Sequence, residues 1–227
     1  MEEGVQGLMK ILITGTSSGI GKSTAELFLE KGHEVYGLDI APNTIENENF
    51  HFFKCDVSKK ESLPNIKNVE ILINNAGTIE EEKAIETNLI GYVNVAEKYS
   101  KSKKMKSIIN VGSISGRVGL DTPLYASSQG GRIAYTKNLA IRMGKERKIP
   151  VNSVSFGAVM SNLEPYLYEQ PKLVEQVASE NLLHKWIQTK ECAEWIYFMA
   201  IKNKSMTGQD ILIDNGEEAN FNFVKGR

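Results

Sequence analysis

Seven short runs in this 227-residue chain are rich in apolar residues without strict alternation: KILITG (10–15), HEVYGLD (33–39), FHFFKCD (50–56), VEILINNAG (69–77), KSIINVGS (106–113), IPVNSVSFG (149–157) and QDILIDNG (209–216). A strand covered on one face alternates apolar and polar residues, whereas a strand covered on both faces does not. Between these runs lie helix-period stretches, over about 20–31, 84–102, 124–145 and 190–201. Repeated strand–helix units of this kind predict a doubly wound α/β fold. Its sheet has seven strands, is mostly parallel and carries helices on both faces, with right-handed crossovers. An apolar share of 41% suffices for one large core. No Pro/Gly/Ser-rich linker or internal repeat divides the chain, so residues 9–227 are expected to form a single domain. The polar start, MEEGVQGL (1–8), is expected to be a flexible extension.

The balance of charge narrows the partners. A formal net charge of −1 gives no electrostatic reason to expect a nucleic-acid or membrane partner. No apolar run approaches the roughly 20 residues of a membrane span. Cys55 and Cys192 form neither a metal spacing nor a disulfide framework, which fits a cytoplasmic setting. His33, His51 and His184 stand singly, so no metal is expected.

In an open parallel sheet, ligands bind beyond the carboxyl ends of the strands. The residues there are distinctive. TGTSSGIG (14–21) follows the first strand and opens the first helix. Gly15 permits a tight turn, Gly19 lets backbone approach a phosphate, and Gly21 lets the helix pack close to the strand. With Ser17, Ser18 and Ile20 they form the expected pyrophosphate cradle at a helix N-terminus. A phosphate-binding P-loop is excluded by spacing. Its first glycine would stand five residues before Gly21, where the chain has Thr16. Asp39 ends the second strand, 24 residues after Gly15. A carboxylate there accepts ribose hydroxyls and repels a 2′-phosphate, which favours NAD over NADP. Ile40 follows it. Asp56 and Val57, after the third strand, are candidates for the adenine end, although Asp56 is also a natural cap for the turn that follows.

Taken together, these motifs resemble the short-chain dehydrogenase/reductase family over nearly the whole chain. TGTSSGIG is similar to its cofactor loop and CDV (55–57) to its adenine-site motif. NNAG (74–77), with Asn75, Ala76 and Gly77, is similar to its fourth-strand signature. TNL puts Asn88 at its helix asparagine, NVGS puts Ser113 at its catalytic serine, and YASSQ puts Tyr125 at its catalytic tyrosine. SFGAVMS (155–161), with Gly157, Val159 and Ser161, resembles the loop that cups the nicotinamide. MTGQDILIDNG resembles the terminal strand.

The resemblance implies a Rossmann fold and hydride transfer between a nicotinamide and an alcohol/ketone substrate. Tyr125 is implied as general acid/base, Ser113 as the donor that orients the substrate oxygen, and Asn88 as part of a proton path. A homodimer or homotetramer built on the two long helices is also implied.

The chain departs from the family at Gln129, where the family has lysine. Gln129 keeps the capacity to bond a nicotinamide ribose but not the charge that stabilises a phenolate. Proton-limited oxidation is expected to be slower by on the order of 10²–10³. Arg132 lies three residues further on and is expected to be exposed or interfacial, with a compensating charge as the alternative. The stretch between NNAG and Asn88 is short, and the pocket segments carry no evident charged signature. Leu163, Tyr166 and Leu167 suggest an apolar substrate.

Overall fold

A computed structural model of the chain describes residues 7–161 and 169–220. All seven expected strands form: β1 (Lys10–Thr14), β2 (Glu34–Asp39), β3 (Phe50–Lys54), β4 (Ile71–Asn74), β5 (Ser107–Ser113), β6 (Val151–Phe156) and, last in the chain, β9 (Asp210–Ile213). They make one sheet in the order β3-β2-β1-β4-β5-β6-β9, and every pairing in it is parallel. Two short strands, β7 (Val159–Met160) and β8 (Ile187–Gln188), pair separately.

The helices cover both faces. They are α1 (Gly19–Glu30), α2 (Glu81–Ala84), α3 (Tyr92–Tyr99), α4 (Ser115–Val118), α5 (Pro123–Arg147), α6 (Pro171–Ser179) and α7 (Thr189–Tyr197). α2 and α3 are joined by a π-helical turn over Ile85–Gly91. The result is a helical run from Glu81 to Tyr99, which begins and ends earlier than the 84–102 expected from periodicity. α5 starts at Pro123, where a missing N–H costs nothing and the fixed φ suits a first helical turn.

The lack of alternation in the strands has a direct cause. Ile11 and Ile13 of β1 pack with Phe28 of α1 and Ile196 of α7, while Leu12 between them packs on the other face with Val95 of α3 and Leu139 of α5. All three β1 residues are fully buried. Burial begins at Met9, whereas Leu8 is exposed. Residues 1–6 of the expected extension lie outside the described residues, as do Leu163, Tyr166 and Leu167. Among the described residues, no helix is long and apolar enough to cross a membrane.

Strand order reverses direction between β1 and β4, which opens a crevice at their carboxyl ends. Thr14 fastens this point. Its hydroxyl oxygen accepts from the amides of Asn75 and Ala76, each at 2.9 Å. The Asn75 amide group returns a bond to the Thr14 carbonyl at 2.9 Å. Thr14→Val keeps the shape but leaves two amides without an acceptor. We expect it to cost about 2–4 kcal/mol and to lower Tm by roughly 5–15 °C, with most of the stability retained in Thr14→Ser. Thermal denaturation of the three proteins checks this.

Candidate active site

A cleft of about 560 Å³ runs along the carboxyl ends of β1 to β5. Gly15, Ser18, Gly19 and Ile20 line it from the first turn, Asp39 and Ile40 from the end of β2, and Asp56 and Val57 from beyond β3. Asn75, Ala76 and Gly77 line it from the end of β4. Tyr125 and Gln129 come from α5, and Ser161 comes from beyond β7. Residues more than a hundred positions apart in sequence thus share one cavity.

The glycine turn is built by exclusion. Gly15 has a φ of +77°, and a Cβ on it would stand 2.7 Å from the Asn75 side chain. A Cβ on Gly21 would lie 1.9 Å from the Gly15 carbonyl oxygen, so α1 approaches the turn only without a side chain there. Gly19 has a φ of +55° and sits at the start of α1, whose first turn receives no side-chain cap from Ser18.

Ser17 and Gly21 stand behind this wall. The Ser17 amide donates to Asp39 Oδ2 at 2.9 Å, and its hydroxyl donates to the Ala41 carbonyl. The other Asp39 oxygen accepts from the Ala41 amide at 2.9 Å. Asp39 is thereby held by the loop it is expected to serve. Asp56 follows the end of β3. It lines the cleft, and it accepts from the Ser58 amide (3.0 Å) and hydroxyl (2.7 Å) as a turn cap.

The start of α5 has no cap of its own. The carboxylate of Glu81, in α2, accepts instead from the amides of Leu124 (2.8 Å) and Tyr125 (3.3 Å) and from the Thr122 hydroxyl. The Thr122 bond first, and the two amides after it, hold the Glu81 carboxyl below its ordinary range. The short stretch after NNAG therefore clamps the helix that carries Tyr125. It also sends Glu82, Lys83 and Glu86 into the cleft lining, a charged contribution that sequence reading missed.

Further along α5, Gln129 is buried and its Oε1 has no hydrogen-bond partner. Arg132 is only 3% exposed, which overturns the expectation of an exposed or interfacial arginine. Its guanidinium donates to the carbonyls of Asn88 (2.5 Å), Val111 (2.8 Å) and Ala76 (2.7 Å). Asn88 sits in the π turn and does not line the cleft. Its side-chain oxygen accepts from the Thr78 amide at 2.8 Å, and its nitrogen donates to the Thr78 carbonyl at 2.8 Å and to the Ser128 hydroxyl at 3.3 Å.

Ser113, at the end of β5, lies beside the lining residues Val111 and Gly112. Its hydroxyl donates to Ser115 Oγ at 3.1 Å, and that hydroxyl in turn donates to Asp121. Gly157 and Val159 stand outside the lining. The Gly157 amide donates to the Ile213 carbonyl at 3.0 Å, and Val159 pairs with Ile187. A Cβ on Gly157 would meet the Glu217 carboxylate at 2.6 Å. Burial pushes the Glu217 carboxyl up, and the like charges of Asp214, Glu180 and Asp121 push the same way against the Ala158 amide. A raised folded-state value means that ionised Glu217 disfavours the fold above that value. Below the unfolded value, near 4.3, both states are protonated and the cost vanishes. We therefore expect Glu217→Gln to raise Tm at pH 7, with the gain fading as pH falls toward 4 in a thermal series.

The chain is similar to known proteins over most of its length. Residues 15–218 match the family model described as enoyl-(acyl carrier protein) reductase. A short-chain dehydrogenase family protein from Francisella tularensis subsp. tularensis SCHU S4 is 28% identical. Its structure superposes with a TM-score of 0.82, covering 93% of this chain and 99% of that one. A 4-hydroxyisoleucine dehydrogenase mutant complexed with NADH and succinate is 27% identical, with a TM-score of 0.82 and coverage of 92% and 98%. ElxO with NADP bound is 25% identical, with a TM-score of 0.82 and coverage of 93% and 99%. With a family model spanning most of its length and a glycine turn, Asp39 and Tyr125 in one cleft, this chain belongs to the short-chain dehydrogenase/reductase family of oxidoreductases.

Proposed function

We propose that this protein is an NAD(H)-dependent oxidoreductase that interconverts an alcohol and a ketone, with Tyr125 as the general acid/base. One observation carries the reading: the glycine turn, Asp39 and Tyr125 line one continuous cleft. The residues present fit a nicotinamide dinucleotide. Gly15 and Gly21 keep the turn free of side chains beside the amides that open α1. The buried, unpartnered Oε1 of Gln129 is an acceptor suited to a ribose hydroxyl.

When bound, the dinucleotide supplies the hydride chemistry. The remaining work belongs to the chain. Tyr125 gives a proton to the substrate oxygen in reduction and takes one in oxidation. Ser113 orients that oxygen after turning its hydroxyl from Ser115. Ser161 borders the nicotinamide end, and Gly157 and Val159 shape the backbone behind it. Asn88 holds the segment Thr78–Asn88 in place through paired bonds to Thr78, and so acts behind the site.

A preference for NAD over NADP rests on charge. Asp39 and Asp56 lie at the β2–β3 end of the cleft, and the described lysine and arginine in the lining, Lys83 and Arg132, come from α2 and α5. A 2′-phosphate beside Asp39 would meet a fixed like charge without a partner. A homodimer or homotetramer in the cytoplasm completes the reading, with exposed Ile90 and Ile141 on the long helices as contact points. The neutral Gln129 favours one second reading, a dinucleotide-binding module without turnover.

In a fluorescence titration, NADH should bind with micromolar Kd and NADPH roughly 100-fold more weakly, a gap that Asp39→Ser should largely close. Binding of neither dinucleotide would overturn the proposal. Tyr125→Phe should lower turnover on the order of 10²–10⁴ with the NADH Kd unchanged, since it removes only the proton step. Turnover that is absent from the parent protein across a wide panel of ketones and alcohols, beside intact NADH binding, would instead support the binding module.

A further inference from the structure

Arg132 has the burial of a core residue and the position of a site residue. It lines the cleft together with Gln129 and Tyr125, which lie about one and two helical turns back along the same face of α5. Each of its three nitrogens donates to one backbone carbonyl, and its guanidinium lies 4.8 Å from the centre of the Tyr92 ring. Among the described residues, no carboxylate pairs with it.

Carbonyl dipoles disperse a guanidinium charge but do not cancel it, and arginine does not shed its proton in a protein. Most buried arginines are matched by an acid. This one leaves a net positive charge at the floor of a cleft. The carbonyls it holds belong to the ends of β4 and β5 and to the π turn, so it is fixed at the junction of three elements.

We propose that Arg132 is the fixed cation of this site, a positioning residue that stabilises the ionised oxygen of Tyr125 while Gln129 stays neutral. The inference rests on Tyr125 being the acid/base group. Attraction between the two charged forms is mutual: burial works against the Arg132 charge, and the phenol groups of Tyr92 first and Tyr125 second favour it.

The other charges near the start of α5 either oppose this effect or are already matched. Glu81, Glu82 and Glu86, from α2 and the π turn, disfavour a phenolate. Lys83 pairs with Glu80 at 2.6 Å, and Arg117 of α4 pairs with Asp210 and Glu218. Asp121 accepts from Ser115. Arg132 is the cation among them that no carboxylate neutralises. The absence of a charge at position 129 therefore does not leave Tyr125 without electrostatic help.

The test needs neither dinucleotide nor substrate, so its failure is distinguishable from failure of the proposed function. Protein labelled with ¹³Cζ-tyrosine is titrated by NMR, and Tyr125 is assigned by the signal missing from Tyr125→Phe. The Tyr125 midpoint should rise by at least about one pH unit in Arg132→Met and stay near the parent value in Arg132→Lys. Equal midpoints in all three proteins would overturn the proposal.

Arg132→Met also strips three carbonyls of their donor, which destabilises the fold. A second measurement leaves Arg132 in place. The ¹⁵Nε signal of Arg132 in the unaltered protein should titrate with the Tyr125 midpoint, and that inflection should vanish in Tyr125→Phe. An Arg132 signal indifferent to Tyr125 ionisation would contradict the proposal without any change at Arg132.

Discussion

The hydroxyl of Thr14 ties together β1 and β4, the two parallel strands between which the strand order reverses. Its oxygen accepts two consecutive amides from the end of β4, and Asn75 answers with a bond to the Thr14 carbonyl. This fixes where β1 ends, and with it the turn at Gly15 and the start of α1. It also fixes where β4 ends, and with it the Ala76 carbonyl that receives Arg132. The cleft is the space that this fastening leaves open. Its geometry depends less on side chains reaching into it than on backbone held at its edges.

A second constraint runs through α5. The helix must present Tyr125 to the cleft at one end while Arg132, two turns on, is buried against three strand and turn carbonyls. Glu81 supplies the missing cap, and the bond from Ser128 to the Tyr125 carbonyl stiffens the first turn. Gly131 lets the helix come close to the π turn, where a Cβ would stand 2.9 Å from the Leu89 side chain. The positive charge of the site is thus part of the packing. Arg132 is held by the structure it helps to hold.

Much of this was legible in the sequence. The seven strands could be read because each is covered on both faces, which suppresses alternation. The glycine turn and Asp39 could be read because local chemistry restricts what can stand at a strand end, whereas Tyr125, in the first turn of α5, was singled out by the family resemblance. The parts that escaped notice depend on long-range partners. Arg132 looked like a surface residue, because backbone carbonyls 21, 44 and 56 positions away leave no complementary residue type to find. Glu81 carried no sign that it would cap a helix more than 40 positions later. The charged lining from α2 follows from the same clamp. Asn88 stands in the π turn, and its side chain is bonded to Thr78 and Ser128.

The most direct test of the account is amide hydrogen exchange of the whole protein with and without saturating NADH, resolved by peptide. The account predicts that protection gathers at the glycine turn (15–20), the ends of β2 and β4 (39–40 and 75–78) and the first two turns of α5, with the far ends of the strands unchanged. Protection absent from these segments, or centred elsewhere on the surface, would contradict the claim that this cleft is where the protein does its chemistry.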